Sequence, residues 1–192
     1  MATFTKRDTR PANNNLYYIK TTYGGYNKCI KIQDDGRVLP NCTGYAWGRF
    51  MECQTNVHNC NLSRANAELW YGHISDGYSR GSTPKLGAVI CWHSTRSGGH
   101  VAIVEEIKSD GKIVTSNSAY NGSYFYMRTL SPPNYYMGSS YTFQGFIYNP
   151  TNFDPPTPPT PTPTEDKKRF PWVLYARKLR NNRNWHNIKN IL

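Results

Sequence analysis

KLGAVICWHSTRSGGHVAIVEEIKSDGKIVTSNSAYNG, from Lys85 to Gly122, is the stretch whose reading decides the fold. Three β-branched and aromatic runs lie in it: Ala88 to His93, His100 to Ile107 and Lys112 to Tyr120. Ser97-Gly98-Gly99 and Asp110-Gly111 separate them, and runs of this length between turn-forming residues read as strands joined by tight connections. SYFYMRTL (Ser123 to Leu130) and YTFQGFIY (Tyr141 to Tyr148) follow the breaks at Asn121-Gly122 and Pro132-Pro133. The region therefore predicts an antiparallel sheet.

Towards the N-terminus the texture changes. After Pro40, NCTGYAWGRFMEC sets Tyr45, Phe50 and Met51 at mixed spacings of three and four, which predicts a helix with Asn41 as its N-cap. SRANAELWY, Ser63 to Tyr71, predicts a second helix capped by Ser63 and stopped by Gly72. Helices followed by strands give an α+β class, with N-terminal helices packed on an antiparallel sheet. Residues 17–32 read as an irregular aromatic segment on the surface, ending in the turn QDDGR. Residues 1–16 read as a flexible lead-in and residues 17–150 as the folded domain. DPPTPPTPTPT, Asp154 to Thr164, cannot pack a core, so residues 151–166 are expected to be an extended polyproline-type linker. Residues 167–192 then form a short basic, aromatic segment.

Length and charge narrow the rest. The 192 residues suit one compact domain with an appendage, and 14% aromatic content supplies a core that disordered chains lack. With 23 Lys and Arg against 12 Asp and Glu, the formal net charge of +11 favours a polyanionic partner without choosing among nucleic acid, teichoic acid and an anionic membrane face. The start, MATFTKRDTR, has no apolar leader, so synthesis in a cytoplasm is expected. Five cysteines without CxxC or zinc-type spacing indicate neither a full disulfide set nor a metal framework, and Cys53 and Cys60 read as free thiols.

Three residues carry chemistry together. Cys42, at the first turn of the predicted helix, gains thiolate character from the helix N-terminus and from any nearby imidazole. His100 opens a strand directly after small residues that leave room for a substrate chain, and Asn117 sits on the next strand, where an amide can fix the imidazole tautomer. Taken singly, Cys42 reads as a core thiol, His100 as a satisfied or surface histidine and Asn117 as a turn or edge residue. Their order Cys, His, Asn is the papain-like one. Trp92 and His93, with Tyr120 and Asn41, are placed as the lining of a peptide groove, although Trp92 is core as often as groove. His58, His73 and His186 are not assigned to the site.

NCTGYAWGR (Asn41 to Arg49) and the Lys85 to Gly122 block resemble the two signature blocks of the CHAP family, the cysteine- and histidine-dependent amidohydrolases and peptidases. The resemblance covers roughly Tyr17 to Tyr148 and implies a papain-like α+β CHAP fold. It implies hydrolysis of an amide bond in bacterial peptidoglycan, as an N-acetylmuramoyl-L-alanine amidase or an endopeptidase. Cys42 is then the nucleophile, His100 the base and Asn117 the orienting residue, while Ala119 lacks a polar group that some members carry there. Asp34-Asp35 falls short of a calcium ligand set, so no metal or cofactor is expected. A phage endolysin released by a holin fits this organisation best. A virion tail-associated hydrolase and a non-catalytic basic binding module are the alternatives. The C-terminal segment is expected to meet an anionic wall polymer or a membrane, and no nucleic acid partner is expected.

Overall fold

The computed structural model describes residues 2–19, 32–56 and 60–153. Cys29, His58, the Pro/Thr stretch, the basic tail and His186 lie outside the described residues. One α-helix, α1 (Cys42–Cys53), packs on a six-stranded antiparallel sheet of β1 (Arg80–Gly81), β2 (Val89–Ser94), β3 (His100–Ile107), β4 (Ile113–Asn117), β5 (Tyr126–Leu130) and β6 (Tyr141–Ile147). The strand order is β1-β6-β2-β3-β4-β5. Strands β2 to β5 are the expected meander, and β6 returns to pair with β2 on its far side.

The sheet is covered on both faces, which is why HVAIV reads as an unbroken apolar run. Val89, Cys91, Val101 and Ile103 meet Tyr45, Trp47, Phe50 and Met51 beneath α1. Ile90, Trp92, Ala102, Val104 and Ile113 meet Leu130, Tyr135 and Phe146 on the other face.

Several expectations need correction. No helix forms over Ser63 to Tyr71; only the 3₁₀ turns Ala67–Leu69 and Ile74–Asp76 are present. A tertiary bond takes one backbone group that a helix would have used, and a local side-chain bond takes a carbonyl. Glu68 N–H donates to Gly98 O, and the buried Trp70 indole N–H donates to Ala65 O. The segment after residue 16 does not lie wholly on the surface, since Tyr18 is buried against the core. The lead-in is tied down as well: Ala2 bridges Phe153, Phe4 packs edge-on against Phe153, and Arg7 N–H donates to Glu105 Oε2. Residues 2–9 and 151–153 therefore belong to the packed unit.

A buried ion network joins that N-terminal strand of chain to α1 and the sheet. Arg49 donates from Nε and Nη2 to the two oxygens of Glu105, each at 2.9 Å, from Nη1 to Glu52 and from Nη2 to Thr5 O. Arg7 pairs with Glu52, and the Tyr18 and Ser116 hydroxyls donate to Glu52 and Glu105. Burial opposes the charge on Glu52, yet Arg7 and Arg49 hold its carboxyl below the usual range.

Candidate active site

The groove begins at the start of α1. Asn41 is extended, and its Oδ1 accepts from the N–H groups of Thr43 and Gly44 and from the Thr43 hydroxyl. That cap fixes Cys42 as the first helical residue. Asn41 N–H in turn donates to Ser118 Oγ at 3.0 Å, which ties the helix start to the end of the strand bearing Asn117. Two segments distant in sequence are thereby held in one place.

Opposite the helix start, His100 opens β3. Gly99 can only be glycine: its φ is +81°, and a Cβ there would stand 2.5 Å from Glu68 N and 2.6 Å from Trp92 O. The tight loop places His100 at the strand mouth. Its Nε2 lies 3.1 Å from Asn117 Oδ1. Trp92 backs the imidazole with ring centroids 5.8 Å apart, and Tyr141 meets it edge-on at 6.5 Å.

Asn117 orients the ring because its own amide is oriented. Its Nδ2 donates to Thr115 O and Thr115 Oγ1 at 3.1 and 3.0 Å, which turns Oδ1 towards His100. A carbonyl oxygen only accepts, so His100 Nε2 carries the hydrogen and Nδ1 keeps its lone pair. Cys42 lies with its sulfur against the backbone N–H of Val101, the residue after His100.

Burial sets the protonation states. It raises the Cys42 thiol, although the N–H groups of Val101, Thr43 and Cys42 itself favour the thiolate, and it lowers His100 to about 4. Thiol and imidazole are thus both neutral at pH 7. The thiolate character expected from the helix start is outweighed at rest by burial. Cys53 and Cys60, free thiols as expected, are pushed up to about 12, and Cys91 is pushed higher still by its complete burial.

Cys42 and His100 line one groove of about 510 Å³, with Asn41, Thr43, Asn66, Ala67, Ser97, Gly98, Gly99, Ala119, Tyr120 and Tyr141. Tyr120 is 58% exposed there and fits its expected place. Trp92 does not line the groove: it is fully buried and its indole N–H donates to Tyr135 O, so it supports the imidazole from behind. Asn41 lines the groove, but its side-chain oxygen is committed to the cap. His93 is exposed, with Nε2 4.0 Å from Glu68 Oε2, and His73 is an exposed residue bonded to Ser75. Sequence reading passed over Thr115, Ser118 and Tyr141. Thr115 was open to discovery, because residues two apart on a strand share a face.

The chain is similar to known proteins over the region that holds this groove. Over 100 residues the chain is 30% identical to a protein named probable autolysin LDP from Staphylococcus aureus, covering 50% of this chain and 34% of that one. The chain thus spans about a third of that relative's length. A solved N-acetylmuramoyl-L-alanine amidase from Staphylococcus aureus superposes with a TM-score of 0.41 at 23% identity, covering 57% of this chain and 31% of that one. The family model described as the CHAP domain matches residues 32–119, a span that holds Cys42, His100 and Asn117.

Proposed function

We propose that the domain hydrolyses an amide bond of bacterial peptidoglycan through a cysteine nucleophile. The observation that carries this reading is Cys42 at a capped helix start, sharing a groove with an imidazole whose tautomer Asn117 fixes. The CHAP match and the autolysin name of a relative support the choice of substrate.

The chemistry follows from the lone pair on His100 Nδ1. As a substrate carbonyl enters, Nδ1 takes the thiol proton and the Cys42 sulfur attacks the carbonyl carbon. Thr43 and Gly44 N–H are occupied by Asn41, so the Cys42 N–H is the helix-start donor that the cap leaves for the oxyanion. Collapse expels the amine, which receives the proton from His100. A water, deprotonated by the same nitrogen, then cleaves the thioester and restores the thiol. Asn117 holds the imidazolium formed in between.

Mass spectrometry of cell walls digested by the wild type and by Cys42→Ala tests the reading. New amine and carboxylate ends at one amide position are expected from the wild type alone. Ends at the muramoyl–L-alanine junction identify an amidase, and ends within the peptide an endopeptidase. Equal release by Cys42→Ala would reject the assignment. Iodoacetamide should label Cys42 ahead of Cys53, Cys60 and Cys91, whose thiols burial holds higher.

The endolysin role, with release by a holin, and the anionic wall contact of residues 167–192 belong to the same proposal. The sequence alone supports them, through a +11 chain whose basic residues recur after a Pro/Thr stretch. A chain ending at Phe153 should match the full chain on soluble muropeptides and fall behind it on whole cells at low salt. Equal lysis of cells at every salt concentration would remove the targeting role.

A further inference from the structure

We propose that Thr115 is a positioning residue of this site, its hydroxyl holding the Asn117 amide in the one orientation that leaves His100 Nδ1 free to accept the thiol proton. The proposal rests on the reading of Cys42, His100 and Asn117 as the catalytic set. Thr115 is fully buried and is absent from the groove lining, so it meets no substrate.

An asparagine side chain has two orientations related by a half-turn, similar in shape and opposite in hydrogen-bonding sense. Only one suits catalysis. With Oδ1 towards His100, Nε2 must be the donor. With the NH₂ group towards His100, Nε2 must accept, the ring proton moves to Nδ1, and the nitrogen needed as base is blocked. The choice is made on the far side of the amide. There Nδ2 meets Thr115 O at 3.1 Å and Thr115 Oγ1 at 3.0 Å, with Tyr126 O at 3.5 Å. The two carbonyls can only accept. The hydroxyl donates to Arg128 O at 3.3 Å, so its lone pair faces the amide. A reversed amide would set its oxygen against these acceptors in a buried site, where an unpaired polar atom is costly. The threonine supplies two of them, one from its backbone and one from its side chain, and only the second is open to mutation.

Thr115→Val keeps the shape and removes the hydroxyl. Its kcat should fall about tenfold with KM within twofold, since the groove is untouched, and Thr115→Ser should recover most of the loss. Nitrogen NMR of His100 in the free protein should show the Nε2–H tautomer in the wild type and Thr115→Ser, and a mixture in Thr115→Val. In an Asn117→Ala background Thr115→Val should cost nothing further, as no amide remains to be oriented. A Val variant with wild-type kcat and a pure Nε2–H tautomer would overturn the proposal. So would a Ser variant as slow as Val, which would assign the effect to methyl packing. If the Val variant fails to fold, Thr115→Ala is read against Ser in the same way. The tautomer is measured without substrate, so a protein that cleaves no wall still decides this point.

Discussion

Helix α1 meets strands β3 and β4 twice, and the two meetings are built on opposite electrostatics. At its start, Cys42 lines one groove with His100, whose Nε2 meets Asn117 Oδ1, and thiol and imidazole are both neutral at pH 7. Two turns further on, Arg49 pairs with both Glu52 and Glu105, and the Ser116 hydroxyl donates to Glu105. Both regions are buried and both depend on residues far apart in sequence. A buried charge needs a partner, and once paired it is locked, which suits a joint. A reacting group must be left incompletely satisfied, which suits a neutral pair whose proton moves only when substrate arrives. The joint thus lets the working end remain neutral without losing its place.

The largest effect that bears on this contrast comes from the working end. His100→Gln should lower the hydrolysis rate by at least on the order of 10³-fold, because the thiol then has no base. His93→Gln, at an exposed position beside Glu68, should leave the rate near that of the wild type. Steady-state hydrolysis of purified muropeptides compares the two. Similar losses in both would mean that His100 is not singled out by its site.

At the joint, Glu105→Ala should cost stability, about 3–5 kcal/mol, by leaving Arg49 buried with half of its partners. Denaturant titration measures it, and the folded fraction should still turn over substrate. A loss below about 1 kcal/mol would show that α1 is held by apolar packing alone.

These two regions also differ in how far the sequence disclosed them. Asn41 as cap and β3 from His100 to Ile107 were legible, because capping and β-branched runs are local signals, and motif spacing is what singled out Cys42, His100 and Asn117. The ion network was not. Arg7 and Glu52 are 45 residues apart and Arg49 and Glu105 are 56 apart, and nothing local marks which charges will pair. The second helix failed for a related reason, since Glu68 N–H bonds to Gly98 O, a partner that only the fold supplies. Trp92 was misplaced although its parity with Ile90, buried on the face away from α1, was there to be read. Two-residue β1 carries too short a pattern to register.

A pH experiment sharpens the contrast. His100 titrates near 4 in the fold and at 6.5 when free, so the unfolded chain binds its proton first as pH falls. Its contribution is fully present above pH 6.5 and is lost between 6.5 and 4, about 3 kcal/mol in all. Thermal melts across that window should show the loss in the wild type and a smaller one in His100→Gln. The acid limb of kcat/KM should fall well below pH 6.5, because the imidazole remains an acceptor down to that lower range. An inflection at 6.5 would mean that the imidazole is as solvated as a free one.

The smallest effect is expected at the rim. Tyr120 follows Ala119 past the end of β4, lines the groove and is more than half exposed, so its ring gains area only when substrate covers it. A ring half in water contributes on the order of 1 kcal/mol to such contact. It touches neither the Cys42 sulfur nor the His100 ring in any contact the structure shows, so the transition state and the bound substrate should feel its loss equally. Tyr120→Ala should therefore raise KM by about fivefold and leave kcat unchanged. Trp92→Phe acts in the reverse sense: it removes the indole bond to Tyr135 O and slackens the wall behind His100, so stability and kcat fall while KM stays. Measured side by side, the two aromatics separate what the groove does to substrate from what the core does to the base. A kcat loss in Tyr120→Ala equal to that in Trp92→Phe would erase that division and place Tyr120 among the groups that hold the reacting pair.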